Sequence, residues 1–237
     1  MTRRRWIADE VSGNRAALTG AHADHLSRVL RARVGQEFDI AVGDIVRRGV
    51  IAAIGDNRVE FDLGEEIPAG VAVRITLLLS IFKFDRMEWA IEKCTELGVA
   101  RIVPVIARRT DTHLASASAK RVDRWKKIAL QAAEQSRRSA PPEIDAPVKL
   151  ANAVSIEGAV RIVLSESEDR MLLREALPSE AADITLAIGP EGGWAEDELQ
   201  LFHKNGWISA SLGSTILRAE TAAIAATAIA ISQLKLK

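Results

Sequence analysis

Apolar and polar residues alternate along the first 70 residues in a way that predicts a small β-rich unit. Three runs have the alternation of half-buried strands, and turns rich in Gly, Asp and Asn separate them: 37–42, 46–54 and 58–63. Before them, Leu26, Val29 and Leu30 recur with helical spacing inside residues 22–35. Residues 65–70 are predicted to be a linker, so we expect one domain over 1–70 and a second over 71–237.

After residue 70 the pattern changes to strands that alternate with helices, which predicts an α/β domain with a mostly parallel sheet. The predicted strands are 71–81, 101–107, 161–164, 184–188 and 207–212, and the predicted helices are 85–97, 120–136, 195–203 and 217–232. The last helix is apolar nearly all round, which is typical of a buried helix.

The composition is that of an ordinary soluble globular protein, with 48% hydrophobic and 27% charged residues among 237. The single cysteine, Cys94, excludes an intramolecular disulfide bond and suits a reducing compartment. No apolar segment of the signal-peptide type follows the N-terminal arginines, and the most apolar stretch, 219–231, is too short to cross a bilayer. We therefore expect a cytoplasmic protein without a membrane segment.

The charges sum to zero, but they are unevenly distributed along the chain. Residues 1–35 carry a net charge of +4 and residues 101–149 carry +6, while acidic segments separate and follow them. Such basic segments permit contacts with nucleic-acid phosphates, although solvated charged faces would give the same pattern. The candidates for RNA contact are the N-terminal arginines Arg3, Arg4, Arg5, Arg28, Arg31 and Arg33.

A glycine-rich loop follows the predicted strand 184–188 and precedes a helix. Its residues are Ile188, Gly189, Pro190, Glu191, Gly192 and Gly193. Glycine lets a backbone turn sharply and approach a ligand closely, and open α/β sheets bind ligands beyond the carboxyl ends of their strands. The loop is therefore a candidate binding element, with a simple strand-to-helix connection as the alternative.

Two more loops follow predicted strands in this half of the chain. One enters the last helix and contains Leu212, Gly213, Ile216 and Leu217; the other contains Leu164, Ser165 and Glu166 and could be a plain acidic turn. Arg218 and Glu220 lie where the last helix begins. Either they form a capping pair, or Arg218 stabilises charge that develops on a substrate while Glu220 orients it.

Several common sites are missing from the sequence. No two glycines stand two positions apart, so neither the Gly-x-Gly-x-x-Gly turn nor its methyltransferase counterpart is present, and no Walker loop or Gly-x-Ser-x-Gly elbow exists. Four scattered histidines and one cysteine give no basis for a metal site. A nucleotide-like ligand would need an unconventional site.

The two glycine-containing loops resemble the signature of a known family. The segment 188–193, then Leu212-Gly213, then 216–222 is similar to the bacterial 16S rRNA (uracil-N3)-methyltransferases, the RsmE group of the SPOUT superfamily. Further similarity lies at 25–36, at 86–104 and at 134–144, so it extends along the whole chain.

The resemblance implies a PUA-like β-barrel domain that binds RNA, followed by a SPOUT domain with a deep trefoil knot. It implies that the three loops hold a bent S-adenosyl-L-methionine, that two copies form a homodimer, and that N3 of a uridine in 16S rRNA or the small ribosomal subunit is methylated. Alanine at 219 and the sequence Arg137-Arg138-Ser139 depart from the family pattern, which affects the target side more than the cofactor side. Two alternatives remain: a SPOUT enzyme that acts on another RNA position, such as a ribose 2′-hydroxyl, and a non-catalytic RNA-binding assembly factor.

Overall fold

The computed structural model describes residues 5–43, 45–67, 74–136, 138–178 and 183–233. These residues form two compact units, one from the described parts of 1–70 and 133–141 and the other from those of 71–132 and 142–237. In the described part of the chain, no helix is both long and apolar enough to cross a membrane.

The first unit is built on a curled six-stranded sheet. Its strands are β1 (Arg5–Ile7), β2 (Glu10–Ser12), β3 (Arg15–Thr19), β4 (Glu37–Val42), β5 (Ile45–Gly55) and β6 (Arg58–Ile67). Their order in the sheet is β1-β4-β5-β6-β3-β2, and every pair is antiparallel except β1 with β4. Two register shifts between β5 and β6 bend the sheet, as bulges do.

A short helix, α1 (Gly20–Asp24), and one π-helical turn, His25–Val29, cover this sheet. Their apolar positions contribute Ala23 and Leu26 to a core with Leu18, Ile40 and Phe61. The helix predicted over 22–35 is therefore shorter than expected. The helical turn ends at Val29, and it cannot continue because Arg31 adopts a positive φ of 51°.

The predicted linker was wrong at its first three residues. Glu66 and Ile67 pair with Arg47 and Val46 of β5, so the strand β6 extends through residue 67. The sequence pattern hides this extension, because residues 64–66 are all exposed and the alternation of buried and exposed positions stops at Leu63. Residues 68–70 lie outside the described residues.

The second unit is a parallel sheet with helices on both faces. Its strands are β7 (Arg74–Ser80), β8 (Arg101–Ile106), β9 (Glu143–Ile144), β10 (Val148–Lys149), β11 (Val160–Leu164), β12 (Asp183–Ile188) and β13 (Ile208–Ala210). The helices are α2 (Phe84–Glu96), α3 (Thr112–Ala117), α4 (Val122–Gln135), α5 (Leu150–Ala153), α6 (Leu173–Ala176), α7 (Glu196–Lys204) and α8 (Ala219–Gln233). The strand order is β10-β8-β7-β12-β11-β13, with β9 beside β8.

The buried strands separate two apolar layers. On one face α2 and α8 pack together and contribute Met87, Ile91 and Ala223 to the larger core. On the other face Phe202 of α7 stacks edge-on between Trp194 and Trp207. This arrangement confirms the predicted α/β architecture with its parallel sheet.

Candidate active site

The three loops that the sequence singles out lie at one edge of the parallel sheet. β12, β11 and β13 are adjacent, so the segments that leave their carboxyl ends meet there. Backbone hydrogen bonds join the loop that follows β11 to the end of β13: Ser165 N donates to Ala210 O at 3.0 Å, and Ser211 N donates to Met171 O at 2.9 Å.

Trp194 joins the end of β11, from which the loop with Ser165 and Glu166 starts, to the glycine-rich loop. Its indole Nε1 donates to the carbonyl oxygen of Leu164 at 3.0 Å, and the buried ring lies against Gly189. A Cβ at Gly189 would come within 3.3–3.4 Å of the indole, so glycine allows the close approach of ring and backbone. The tryptophan thereby fixes the relative position of two loops.

A cavity of about 560 Å³ opens between these loops. Of the residues predicted to bind a cofactor, those that line the cavity are Leu164, Ser165, Glu166, Ile188, Gly189, Pro190, Glu191, Gly193, Leu212, Gly213, Ile216 and Leu217. Gly192 does not line it; instead, its carbonyl oxygen accepts a hydrogen bond from Arg109. The cavity has the size of a small-molecule site, and apolar and polar side chains mix in its wall.

Gly193 shows why the loop needs glycine. Its φ is +68°, a conformation that side-chain-bearing residues rarely adopt, and a Cβ there would lie 2.9 Å from Glu166 Oε1. The carboxylate of Glu166, from the loop after β11, therefore packs against the bare backbone of the glycine-rich loop. This cradle suits a flat ligand with hydroxyl or amino groups, such as a nucleoside.

Arg218 and Glu220, the two predicted catalytic residues, are not brought together. Arg218 is exposed and lines the cavity, and among the described residues its side chain forms no hydrogen bond or ion pair. The capping pair, which was one of the two alternatives for these residues, is therefore not formed, and their catalytic roles stay a prediction. The two point apart because Glu220 turns into the core beside α2, where it is only 4% exposed.

Glu220 has a different partner, which the sequence did not reveal. Arg86, in the first turn of α2, lies with its Nε 3.8 Å from Glu220 Oε1 and donates from Nη1 to Glu191 Oε1 at 3.1 Å. Glu220 Oε2 is buried and accepts no hydrogen bond from any described residue. Arg86 also lines the cavity, so a charged network connects the glycine-rich loop to the start of α8.

Four of the six arginines that are predicted to contact RNA lie among the described residues. Arg3 and Arg4 lie outside the described residues, and Arg5 is half-buried on β1. Arg28, Arg31 and Arg33 are all exposed in one short segment after α1, and Arg28 lies 3.3 Å from Asp24.

No other group in the described part of the second unit suggests a different chemistry. Burial raises the pKa of the Cys94 thiol to about 12, so it remains protonated and unreactive. In the described ranges, no cluster of three or more histidine, cysteine or carboxylate side chains could hold a metal ion.

Comparisons with known proteins agree with this fold and site. Residues 70–231 match the family model of an RNA methyltransferase domain. A small-subunit ribosomal RNA methyltransferase E from Rickettsia conorii is 33% identical over 87% of this chain and 85% of its own length. One from Aquifex aeolicus is 28% identical over 94% and 97%. A crystal structure of one from Neisseria gonorrhoeae, bound to S-adenosyl methionine, has a TM-score of 0.86 and 28% identity, and 98% of each chain is covered.

The fold and the site thus define an RNA methyltransferase domain in the second unit. The similarity continues beyond that domain along most of the chain. This chain belongs to the family of the ribosomal RNA small subunit methyltransferases E.

Proposed function

We propose that the protein uses S-adenosylmethionine to methylate N3 of a uridine in 16S rRNA, in the cytoplasm. The observation that carries this proposal is the cavity between the three loops in a chain of this family, since a family member of the same fold binds S-adenosyl methionine. The residues present fit that cofactor, because Gly193 lets the Glu166 carboxylate lie in the cavity wall, where it can accept hydrogen bonds from the hydroxyl groups of a nucleoside. When bound, the cofactor supplies a methyl group on a positively charged sulfur.

The residues around the cavity have separate tasks in this proposal. N3 lies on the Watson–Crick edge of uracil, so the base must enter unpaired. The guanidinium of Arg218 then stabilises the negative charge that a uracil carbonyl oxygen gains as the N3–H bond breaks and its proton passes to solvent water. Glu220 acts at a distance, since it lies beside Arg86 rather than Arg218.

Labelled S-adenosylmethionine tests the proposal directly. We expect label to enter small-subunit rRNA on incubation with the protein, and nucleoside digestion to identify 3-methyluridine. Naked 16S rRNA and assembled small subunits serve as parallel substrates. Label in a 2′-O-methylated nucleoside would instead indicate a different target atom, and no label in either substrate would favour a non-catalytic RNA-binding protein.

We further propose that the first unit is a PUA-like domain that docks RNA through its arginines. The exposed segment with Arg28, Arg31 and Arg33 supports this, because neighbouring cations suit a row of phosphates. Replacing Arg3, Arg4, Arg5, Arg28, Arg31 and Arg33 with glutamine is expected to weaken RNA binding. The slope of log K against log salt should fall by about one for each phosphate that the protein no longer binds.

Filter binding across a salt series measures this effect, and cofactor binding should stay normal. The matched control is Arg15→Gln, since Arg15 is an exposed arginine of the same unit that lies beside Asp62. RNA affinity that survives all six replacements would transfer the proposed role to the second basic segment, residues 121–138.

The proposal also includes a homodimer, supported by the uncovered face of α8. Ala223 and Ala226 are buried, but Ile224 and Ala225 are only half-buried and Ala228 is exposed within the unit.

We expect light scattering to give twice the chain mass of 25.7 kDa. Ala228→Glu should shift the mass to that of one chain, while Ala119→Glu, the same change at another exposed alanine, should not. A single-chain mass for the unmodified protein at micromolar concentration would contradict the proposal.

We propose a trefoil knot in the second unit as well. Its support is the position of Ser211, which lies on the way into α8. Leu173 N donates to Ser211 O at 2.8 Å, and Ser165 N donates to the neighbouring Ala210 O at 3.0 Å. Both ends of the segment 165–173 therefore form hydrogen bonds to the chain that leads to α8. A loop through which that chain passes would make the same contacts.

A further inference from the structure

A fourth loop, which the sequence did not single out, contacts the glycine-rich loop. It consists of residues 107–111, which leave the carboxyl end of β8. From it the side chain of Arg109 extends to the glycine-rich loop, where Nη1 donates to Gly192 O at 2.7 Å. The same side chain lies 3.4–3.5 Å from the position of a Cβ at Gly192, and it lines the cavity.

This fourth loop is itself held firmly. The backbone N of Arg108 donates to Glu198 Oε1 at 2.7 Å, and the other oxygen of Glu198 accepts from Ala195 N at 2.9 Å. Glu198 is only 7% exposed, so its carboxylate joins the fourth loop to the start of α7 from a buried position. At the far end, the side chain of Asp111 accepts from the first N–H groups of α3. Arg109 therefore extends from a loop anchored at both ends.

Arg109 completes the restraint of one peptide group. The carbonyl of Gly192 and the N–H of Gly193 belong to the same peptide, and Gly193 N donates to Pro190 O at 2.8 Å. With Arg109 bonded to the carbonyl, both polar ends of that peptide are fixed. Gly193, with a φ of +68°, has no side chain to restrict its backbone angles. These two hydrogen bonds therefore determine the orientation of this peptide group towards the cavity.

We propose that Arg109 is a positioning residue for the cofactor, one that acts by holding the Gly192–Gly193 peptide in its binding orientation. The inference rests on the proposed function, in which this cavity holds S-adenosylmethionine. Arg109 then determines cofactor affinity through the loop, without itself recognising the amino-acid part of the ligand. A direct ion pair between Arg109 and the ligand carboxylate is the competing role, and the two roles differ in a measurable way.

Calorimetry with two ligands separates the roles. S-adenosylmethionine carries the amino-acid carboxylate, and 5′-methylthioadenosine lacks it. We expect Arg109→Ala to weaken both ligands by the same factor, about tenfold or more, because the variant removes a charge-assisted hydrogen bond from the loop. Arg109→Lys should recover part of the affinity, since an ammonium can still donate to the Gly192 carbonyl. The thermal unfolding temperature without ligand should change little.

The neighbouring Arg108 is the matched control. Its side chain pairs with Asp197 at 2.6 Å, both are largely exposed, and it does not line the cavity. Arg108→Ala should leave both affinities unchanged. Unchanged affinity in Arg109→Ala, or a reduction confined to S-adenosylmethionine, would overturn the positioning role. If the unmodified protein bound neither ligand, the proposed function would fail together with the inference, which distinguishes that result from failure of the inference alone.

Discussion

The Arg218→Ala variant is expected to transfer methyl groups at least about 10²-fold more slowly than the unmodified protein, with almost unchanged affinity for S-adenosylmethionine. Electrostatic stabilisers of a transition state typically contribute a factor of that size. The geometry favours this role over a structural one, because Arg218 is exposed on the cavity wall and pairs with no described side chain. Its removal breaks no ion pair that the described fold depends on.

Single-turnover methylation and thermal unfolding on the same variant separate the two roles. Arg218→Lys should recover only part of the rate, since lysine keeps the charge but loses the planar pair of donors. Arg174→Ala removes another exposed arginine, on α6 away from the cavity, and should leave the rate unchanged. A destabilised Arg218→Ala protein that still turns over at a near-normal rate would show that the side chain supports structure and that the chemistry depends on other residues.

Gly193→Val is expected to abolish S-adenosylmethionine binding while the first unit remains folded. Two penalties combine at this position. A φ of +68° is strained for any β-branched residue, and the new side chain would collide with the Glu166 carboxylate, which lies 2.9 Å from the Cβ position. Either the loop rearranges or Glu166 leaves its place in the cavity wall.

Gly192 provides the comparison within the same loop. A Cβ at Gly192 would meet only the side chain of Arg109, at 3.4–3.5 Å, an ordinary van der Waals contact that lets Arg109 keep its place. Gly192→Ala should therefore reduce affinity much less in calorimetry than Gly193→Val. Asparagine tolerates a positive φ, but its side chain would still collide with Glu166. Weaker S-adenosylmethionine binding by Gly193→Asn would therefore measure the steric penalty separately from the backbone strain. Equal, normal affinity in all three variants would remove this loop from the cofactor site.

The sequence predicts a strand where the alternation of apolar and polar residues, or an apolar run, extends over enough positions to be distinguished. β4, β5 and β6 were predicted because six or more residues alternate between clear turn signals, and the apolar runs of β11 and β12 marked a parallel sheet. β1 and β2 were missed because three residues carry no period, and all of β2 is exposed. Helix α3 was missed as well, since none of its residues is buried and it has no apolar stripe.

The candidate site was predicted where it depends on local backbone chemistry and missed where it depends on distant contacts. Glycine and proline after an apolar strand identify the loop at 188–193 from a few residues alone. Arg86 and Arg109 gave no such signal, because their partners Glu191 and Gly192 stand 105 and 83 positions further along the chain. The same limit explains Glu220: its neighbour in sequence, Arg218, seemed its partner, while the fold places Arg86 beside it.

The position of β12 in the sheet affects how the chain must be made. β12 lies between β7 and β11, yet it is synthesised about a hundred residues after β7. At about 5–20 residues synthesised per second, one side of β7 therefore waits roughly 5–20 s without its strand neighbour. During that interval a nascent chain presents an open, apolar strand edge, the kind of surface that pairs with other chains. The cofactor gives no protection then, because ligands stabilise only the state that can bind them and at least two of the three loops are still to be translated.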